Sequence, residues 1–389
     1  MMTLAGTPPA TLPAGTSEVT RAPAATTEFS PACNRSKISL ISFHKYCVLH
    51  GVVPLQVTIY LITYCCLTSK RLPMKKVTIF RALALILMCS GFAACTRTMD
   101  RQDLVDLMDR YLEALARNDP AGIPFAGDVK FVENTEVLQI GEGLWETATG
   151  GTTDFRIFVA DPLAGQVAFL GVLEEHNRPT IAALRLKVEQ GKITEVDHLV
   201  VHSGDQPLNP NMSRVREDLL EPVKQEERVP REKMLEIADS YYEAIVQDNG
   251  DLCPFADECQ RRENGSITAN DQTQTPEEAA QDDFSVFRKM RCGEQLSTGV
   301  MSYITDINRR RFIAVDEELG LVFAFSIFVH DGEPKVMQIT GVPGITERAN
   351  NWGPFDLPAA HIFKIRDDQV CDIEAIGYIA SHGVRNGWE

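Results

Sequence analysis

Compact catalytic signatures are missing from the 389 residues. There is no Gly-x-Ser-x-Gly elbow, no Gly-rich phosphate loop and no His-Glu-x-x-His pair. A serine hydrolase, a nucleotide-phosphate cradle and a zinc-protease helix are therefore not indicated. No Cys-x-x-Cys pair occurs and no histidine lies near Cys253, Cys259, Cys292 or Cys371, so no metal and no cofactor is expected. Basic residues are scarce as well, 38 Lys+Arg against 54 Asp+Glu, for a net charge of −16. The deficit is uneven. Residues 1–95 hold nine basic residues and two acidic ones, Glu18 and Glu28, so the remainder carries −23. An acidic body of that size repels phosphate backbones, which excludes nucleic acid as a partner. At 44% hydrophobic the chain has ample material for packed cores, and its length suits two of them.

The N-terminal block reads as an address. Residues 1–36 are rich in Ala, Thr, Pro and Ser with no apolar period. The uncharged run 47–69 is long enough to span a bilayer, although Pro54 interrupts it. A second start follows: Met74-Lys75-Lys76, an apolar core over 82–88, then the small residues leading to Cys95. That order is the anatomy of a bacterial secretory signal. Cys95 after Ala93-Ala94 resembles a lipoprotein cleavage box, with Phe92 where an aliphatic usually stands. Residues 74–95 are thus expected to be a signal with lipidation at Cys95, placing the protein in the cell envelope or periplasm. Simple secretion and an uncleaved hydrophobic anchor are the alternatives, and 1–73 reads as an extension ahead of the true start. Cys253, Cys259, Cys292 and Cys371 form an even set in an exported chain, so two disulfides are expected. Of three connectivities, Cys259–Cys292 with Cys253–Cys371 is favoured.

The rest of the chain repeats itself. Residues 109–118 answer 239–248 at an offset of 130, as do Pro124-Phe125-Ala126 with Pro254-Phe255-Ala256 and Glu133-Asn134 with Glu263-Asn264. Farther on the offset is 155 (Arg156 with Arg311, Asp161 with Asp316, Gly165 with Gly320), then 177 (Lys187 with Lys364). A fixed order with a growing offset is a tandem duplication whose second copy carries insertions near 265–298 and 333–357. The copies run over 100–202 and 231–389, joined by a Pro-rich, charged linker at 203–230. Each opens with an amphipathic helix: Leu104, Leu107, Met108, Tyr111, Leu112 and Leu115 recur at three- and four-residue steps, and Met234, Ile237, Ala238, Tyr241 and Ile245 repeat them. β-rich runs separated by turn signals follow, so each copy is α+β.

A helix, an Asn118-Asp119-Pro120 turn, the 124–134 segment PFAGDVKFVEN and a meander of strands resemble the NTF2-like, or SnoaL-like, superfamily. The duplicated form, with GEGLW at 141–145 and RRENG at 261–265, resembles a family of secreted bacterial and fungal proteins of unassigned function. The resemblance covers about 100–389 and implies two tandem cones, each a curved antiparallel sheet wrapped around its N-terminal helix; the two are expected to pack as an intramolecular pseudo-dimer. It also implies a pocket for a small, largely apolar molecule. In the ketosteroid isomerase branch, Arg-Tyr on the first helix and an Asp on the strand do the chemistry. Arg110-Tyr111 matches the first pair, but Asn134 and Asn264 stand in the Asp's place, and an amide is no base.

Candidate residues follow from comparing the copies. Positions shared by both, such as Tyr111/Tyr241, Glu133/Glu263, Asn134/Asn264, Arg156/Arg311 and Asp161/Asp316, serve what both copies need. Asp161 and Asp316 are read as hairpin caps, and Arg311 as a carboxylate ligand or a salt-bridge partner. Strand 360–365 aligns with 183–188, so His361 replaces the inward-facing Leu184 and becomes the candidate acid/base, with Tyr241 and Glu263 as partners. Trp145, Tyr111, Asn134, Asn264, Arg311 and Trp352 are candidate ligand contacts, Trp352 lying in a lid-like insertion. His198 and His202 sit on one strand face but lack an acidic third metal ligand. The favoured function is binding; the alternatives are a cofactor-free lyase, isomerase or hydratase using His361, and a purely structural pair whose pockets are filled by side chains.

Overall fold

A computed structural model describes residues 98–202, 207–277 and 284–389. The extension, the signal segment and Cys95 lie outside the described residues. Helix α1 (Arg101–Ala116) begins in a reciprocal capping box between Asp100 and Asp103 and buries the apolar stripe from Leu104 to Leu115. Strands β1 (Phe125–Glu133), β2 (Glu136–Leu138), the short helix α2 (Leu144–Thr147), β3 (Ala148–Gly150), β4 (Arg156–Asp161), β5 (Gln166–Glu175), β6 (Arg178–Glu189) and β7 (Lys192–Val201) complete the first copy. The linker holds α3 (Glu217–Leu220). The second copy runs through α4 (Arg231–Val246), β8 (Phe255–Glu263), β9 (Ser266–Ala269), α5 (Ser285–Arg288), α6 (Cys292–Leu296), β10 (Asp306–Asp316), β11 (Leu321–His330), β12 (Val336–Gln338), β13 (Glu347–Ala349), β14 (Phe355–Arg366) and β15 (Gln369–Gly377).

The first sheet has the order β2-β1-β7-β6-β5-β3 with β4 also on β5, and the second β10-β11-β14-β15-β8-β9. One correction to a purely antiparallel sheet is needed in each copy: β1 runs parallel to β7, and β8 to β15. The chain leaves its first long strand, crosses the cone, and returns by a meander whose last strand lands beside the first in the same direction.

Period two then assigns the faces. Val167, Phe169, Ala182, Leu184 and Leu186 close on α1, whereas Ala168, Leu170, Ile181 and Ala183 face the other copy. Correspondingly, Ala359, Phe363 and Ile365 close on α4 while Ala360 and Ile362 face outward. The two sheets therefore pack back to back through one shared apolar cluster, to which the linker adds Met212, Val215 and Leu219.

Two reciprocal ion pairs fasten this contact. Arg101, at the start of α1, reaches Asp316 of the second copy at 2.7 Å, and Arg231, at the start of α4, reaches Asp161 of the first at 2.6 Å. Both aspartates also cap their own hairpins, accepting from Ala164 N and Leu319 N. The following Gly165 and Gly320 take positive φ, and a Cβ there would lie 2.7 and 2.4 Å from the Val188 and Ile365 carbonyls. The C-terminal tail crosses to the first copy, where Trp388 donates to Asp197 among Lys130, Arg185 and Arg311.

The expected disulfides are not formed. Cys253, Cys259, Cys292 and Cys371 are buried free thiols. Cys253 turns toward the Ile237 carbonyl of α4 and Cys371 toward Gln369 of its own hairpin, while Cys292 Sγ lies 3.1 Å from the Cys259 carbonyl.

Candidate functional site

The interior of the first cone is filled. Trp145 Nε1 donates to Tyr111 Oη at 3.1 Å, Tyr111 lies 2.9 Å from His198 Nε2, and His198 Nδ1 lies 3.0 Å from Glu133 Oε2. A carboxylate at Nδ1 requires the proton there, so Nε2 accepts from the phenol and the chain runs in one direction. Glu133 also takes the Leu144 N–H at the start of α2. Gly143, at φ 64°, is required there because a Cβ would sit 2.3 Å from that carboxylate. Trp145 and Tyr111 are fully buried. These two side chains form a plug rather than a ligand contact, and burial raises the Tyr111 phenol well above its ordinary value.

The second cone lacks the plug. Met301 stands where the repeat places Trp145, and Ala375, opposite Glu263, stands where His198 faces Glu133. Loss of those two side chains leaves a cavity of about 540 Å³ lined by Glu263, Met301, Tyr303, Phe328, His330, Trp352, Phe355, Leu357, His361, Ala375 and Ile376, among others. That volume accommodates a small organic ligand. Trp352 and Ile379, 53% and 71% exposed, mark its mouth.

His361 lies on the cavity wall with Phe328 and Phe363 stacked on its ring, 5.4 and 5.7 Å away, and Tyr241 and Tyr242 beside it. Its Nδ1 has no hydrogen-bond partner. Burial, with the nearby Arg261 guanidinium, holds its pKa down to about 3. Burial pushes the Tyr241 phenol far up and that of Tyr303 to about 12. Near neutral pH these three groups are uncharged and reluctant to exchange protons. Glu263, also on the wall, is paired with Arg261 at 3.0 Å.

Other sequence candidates sit elsewhere. Asn134 bonds Val200 through both amide atoms and Asn264 does the same with Gly377, each from a positive φ. Both side chains strap a strand end, and Asn264 also lines the cavity of the second cone. Arg311 lies outside the second-cone cavity and pairs with the first copy. β10 bulges on either side of it, so Arg310 takes the Asp239 pairing that corresponds to Arg156–Asp109, and Arg311 reaches Asp197 of the first copy at 2.8 Å. His198 and His202 do not converge, because His198 turns inward to Glu133 and His202 to Glu175. Among the described residues no three metal-ligating side chains come together.

The sequence reading missed Arg261, Tyr303 and His330. Arg261 replaces Phe131 at the same offset of 130, a signal available in the repeat. It is 1% exposed, donates to Thr268 and Gln295, and leaves Nη1 unpartnered. His330 is equally buried, stacked on Phe355 at 4.1 Å, with neither ring nitrogen bonded.

Fold and site together define a class: a tandem pair of α+β cones, one filled and one hollow. The chain belongs to the family described as domain of unknown function (DUF8021), whose profile matches residues 97–200 and 227–377. Among curated proteins none matches. Similar solved structures include a protein of Silicibacter sp. TM1040 described as a polyketide cyclase, 14% identical over 38% of this chain and 89% of that one, with a TM-score of 0.22. A second, from Xanthomonas campestris pv. campestris and described likewise, is 18% identical over 38% and 90%, with a TM-score of 0.23. A third, from Jannaschia sp. CCS1 and described as a SnoaL-like polyketide cyclase, is 12% identical over 40% and 89%, with a TM-score of 0.21.

Proposed function

We propose that the second cone binds a small, largely apolar molecule and that the first is its filled structural partner, in a protein exported and held at the membrane through Cys95. The observation that carries the binding reading is the exchange between copies: Trp145 and His198 fill one cone, and Met301 with Ala375 leave the other hollow. The alternative, a proton-moving enzyme built on His361, is disfavoured by the same wall. An imidazole whose pKa is about 3 cannot carry a proton near neutral pH, and Tyr241 beside it is as unwilling to release one. Neutral His361 is suited instead to accepting or donating a hydrogen bond that orients a ligand. Native mass spectrometry of the purified protein tests this. The wild type is expected to retain a small molecule that a Met301→Trp/Ala375→His variant loses, since that variant rebuilds the plug. Equal occupancy in both would refute the assignment. N-terminal sequencing of the mature protein, expected to begin at Cys95, tests export.

A further inference from the structure

Both cones carry the same carboxylate at the end of the same strand, and the two are satisfied differently. Glu133 accepts from the Leu144 N–H and from His198 Nδ1. Glu263 has lost both donors. Gly299 and Val300 stand where the repeat places Gly143 and Leu144, and the Val300 N–H goes to Thr298 Oγ1 at 3.2 Å. A Cβ on Gly143 would sit 2.3 Å from the Glu133 carboxylate, whereas one on Gly299 would sit 2.5 Å from the Gln338 carbonyl. Ala375 is paired with Glu263 as His198 is with Glu133, and its methyl offers no hydrogen bond. What Glu263 keeps is the ion pair with Arg261, whose Nε donates to Thr268.

The places of the missing donors open on the ligand space. The Glu263 side chain is 44% exposed, and Glu263 lines one cavity together with Met301 and Ala375. A molecule entering there strips water from the carboxylate, so it must supply a hydrogen bond or bear the desolvation cost. In the first cone a ring N–H, that of His198, meets this need. Tyr303, Phe328, Trp352 and Phe355 line the second cavity, and aromatic walls suit a flat ring. Charge restricts the donor further. The Arg261 guanidinium is 1% exposed, with Nη1 enclosed and unpartnered. The cavity therefore meets Glu263, with a positive charge held behind it. An ammonium would bring a second cation to a carboxylate that already has one. A carboxylate on the ligand would meet Glu263 and not the enclosed guanidinium. Both are costly in a site partly withdrawn from water.

Resting on the binding reading above, we infer that the ligand of the second cone is a neutral aromatic heterocycle whose ring N–H donates to Glu263. It takes the place that the His198 imidazole takes at Glu133 in the first cone.

The test titrates indole, benzofuran, 1-methylindole, tryptamine and indole-3-acetate against the full-length protein by ligand-detected NMR. Indole should bind at least about tenfold tighter than benzofuran, which keeps its shape without the donor, and than 1-methylindole. Ala375→His supplies the donor from the protein itself, and the indole-to-benzofuran ratio should fall to about one with Glu263 unchanged. Glu263→Gln keeps the size and an acceptor without the charge, and should reduce the ratio to about threefold. The wild-type ratio needs no variant to fold. Equal wild-type affinity for indole and benzofuran, or an indole preference that survives both substitutions, would overturn the N–H reading and leave the pocket standing. Tightest binding by tryptamine or by indole-3-acetate would do the same. Failure of all five compounds to bind would overturn the binding reading itself.

Discussion

Replacing His361 with Leu, the residue that the first cone holds at the same position, separates its structural cost from its use. In the folded protein the ring is buried with Nδ1 unpartnered, an arrangement that costs about 1–3 kcal/mol relative to a satisfied or apolar group. Leucine has a similar volume and suits the apolar packing against Phe328 and Phe363. The variant should therefore be more stable than the wild type by about 1–2 kcal/mol at pH 7.5. Acidification should widen the gap. Below the ordinary imidazole value of about 6.5, the unfolded wild type takes up a proton that folded His361, at about 3, refuses. The unfolded state then binds more protons than the folded state, so wild-type stability drops by about 1.4 kcal/mol for each unit the pH is lowered between those two values. The leucine variant lacks this loss. At pH 5 its advantage should reach about 3–4 kcal/mol, read as the difference between two urea transitions. Subtracting the two proteins cancels other titrating groups, including Asp372, whose carboxyl burial pushes the opposite way, to about 8. A gap that stays constant or narrows at low pH would mean that His361 gains a proton in the fold. The neutral-imidazole argument would then fail and proton transfer would return as a reading. Unchanged ligand retention by the variant would equally refute a ligand role for His361.

Two further outcomes follow from the comparison of cones. Trp145→Met with His198→Ala, which copies the hollow cone into the filled one, should lower the stability of the first cone by about 3–5 kcal/mol in urea unfolding, because it opens a cavity and strands Tyr111 and Glu133; a loss below about 1 kcal/mol would refute the plug. Asp161→Asn should cost about 3 kcal/mol by removing the buried partner of Arg231 and of Val315 N, and Asp316→Asn should cost a similar amount through Arg101; a large effect from only one of them would contradict the reciprocal fastening.

Much of the fold was legible because duplication writes each element twice. The apolar stripes of α1 and α4 and the hairpins at Asp161 and Asp316 fell where periodicity and turn chemistry put them. The inward direction of His361 came from period two and from Leu184 in the other copy. The misreadings have local causes. A bulge changes which of two adjacent arginines faces which way without altering the sequence offset, so Arg311 was aligned with Arg156 while Arg310 does its work. Cysteine count alone carries no information on thiol geometry: Cys259 and Cys292 lie in contact as free thiols, whereas Cys253 and Cys371 turn to the Ile237 and Gln369 carbonyls. His198 was read against His202 along its own strand, whereas its partner Glu133 comes from the neighbouring strand β1. Parallel pairing between the first and last strands of a copy is a long-range fact that no short window contains.

The difference between the copies is more informative than their likeness. In the first cone the polar atoms of the interior complete a chain from Trp145 to Glu133, and a fully satisfied network adds rigidity and leaves no room for a guest. In the second cone His330, His361 and Arg261 Nη1 lack partners, at a cost of about 1–3 kcal/mol for each group. A free-standing cone with several such groups would be marginal. Here the hollow cone shares one apolar cluster with the filled cone and is tied to it by Arg101–Asp316, Arg231–Asp161 and the Trp388 tail. Unsatisfied polar groups can persist where surrounding structure holds them. The shared cluster and the ion pairs thus hold the hollow copy against the filled one, and the unpaired buried atoms persist within that support.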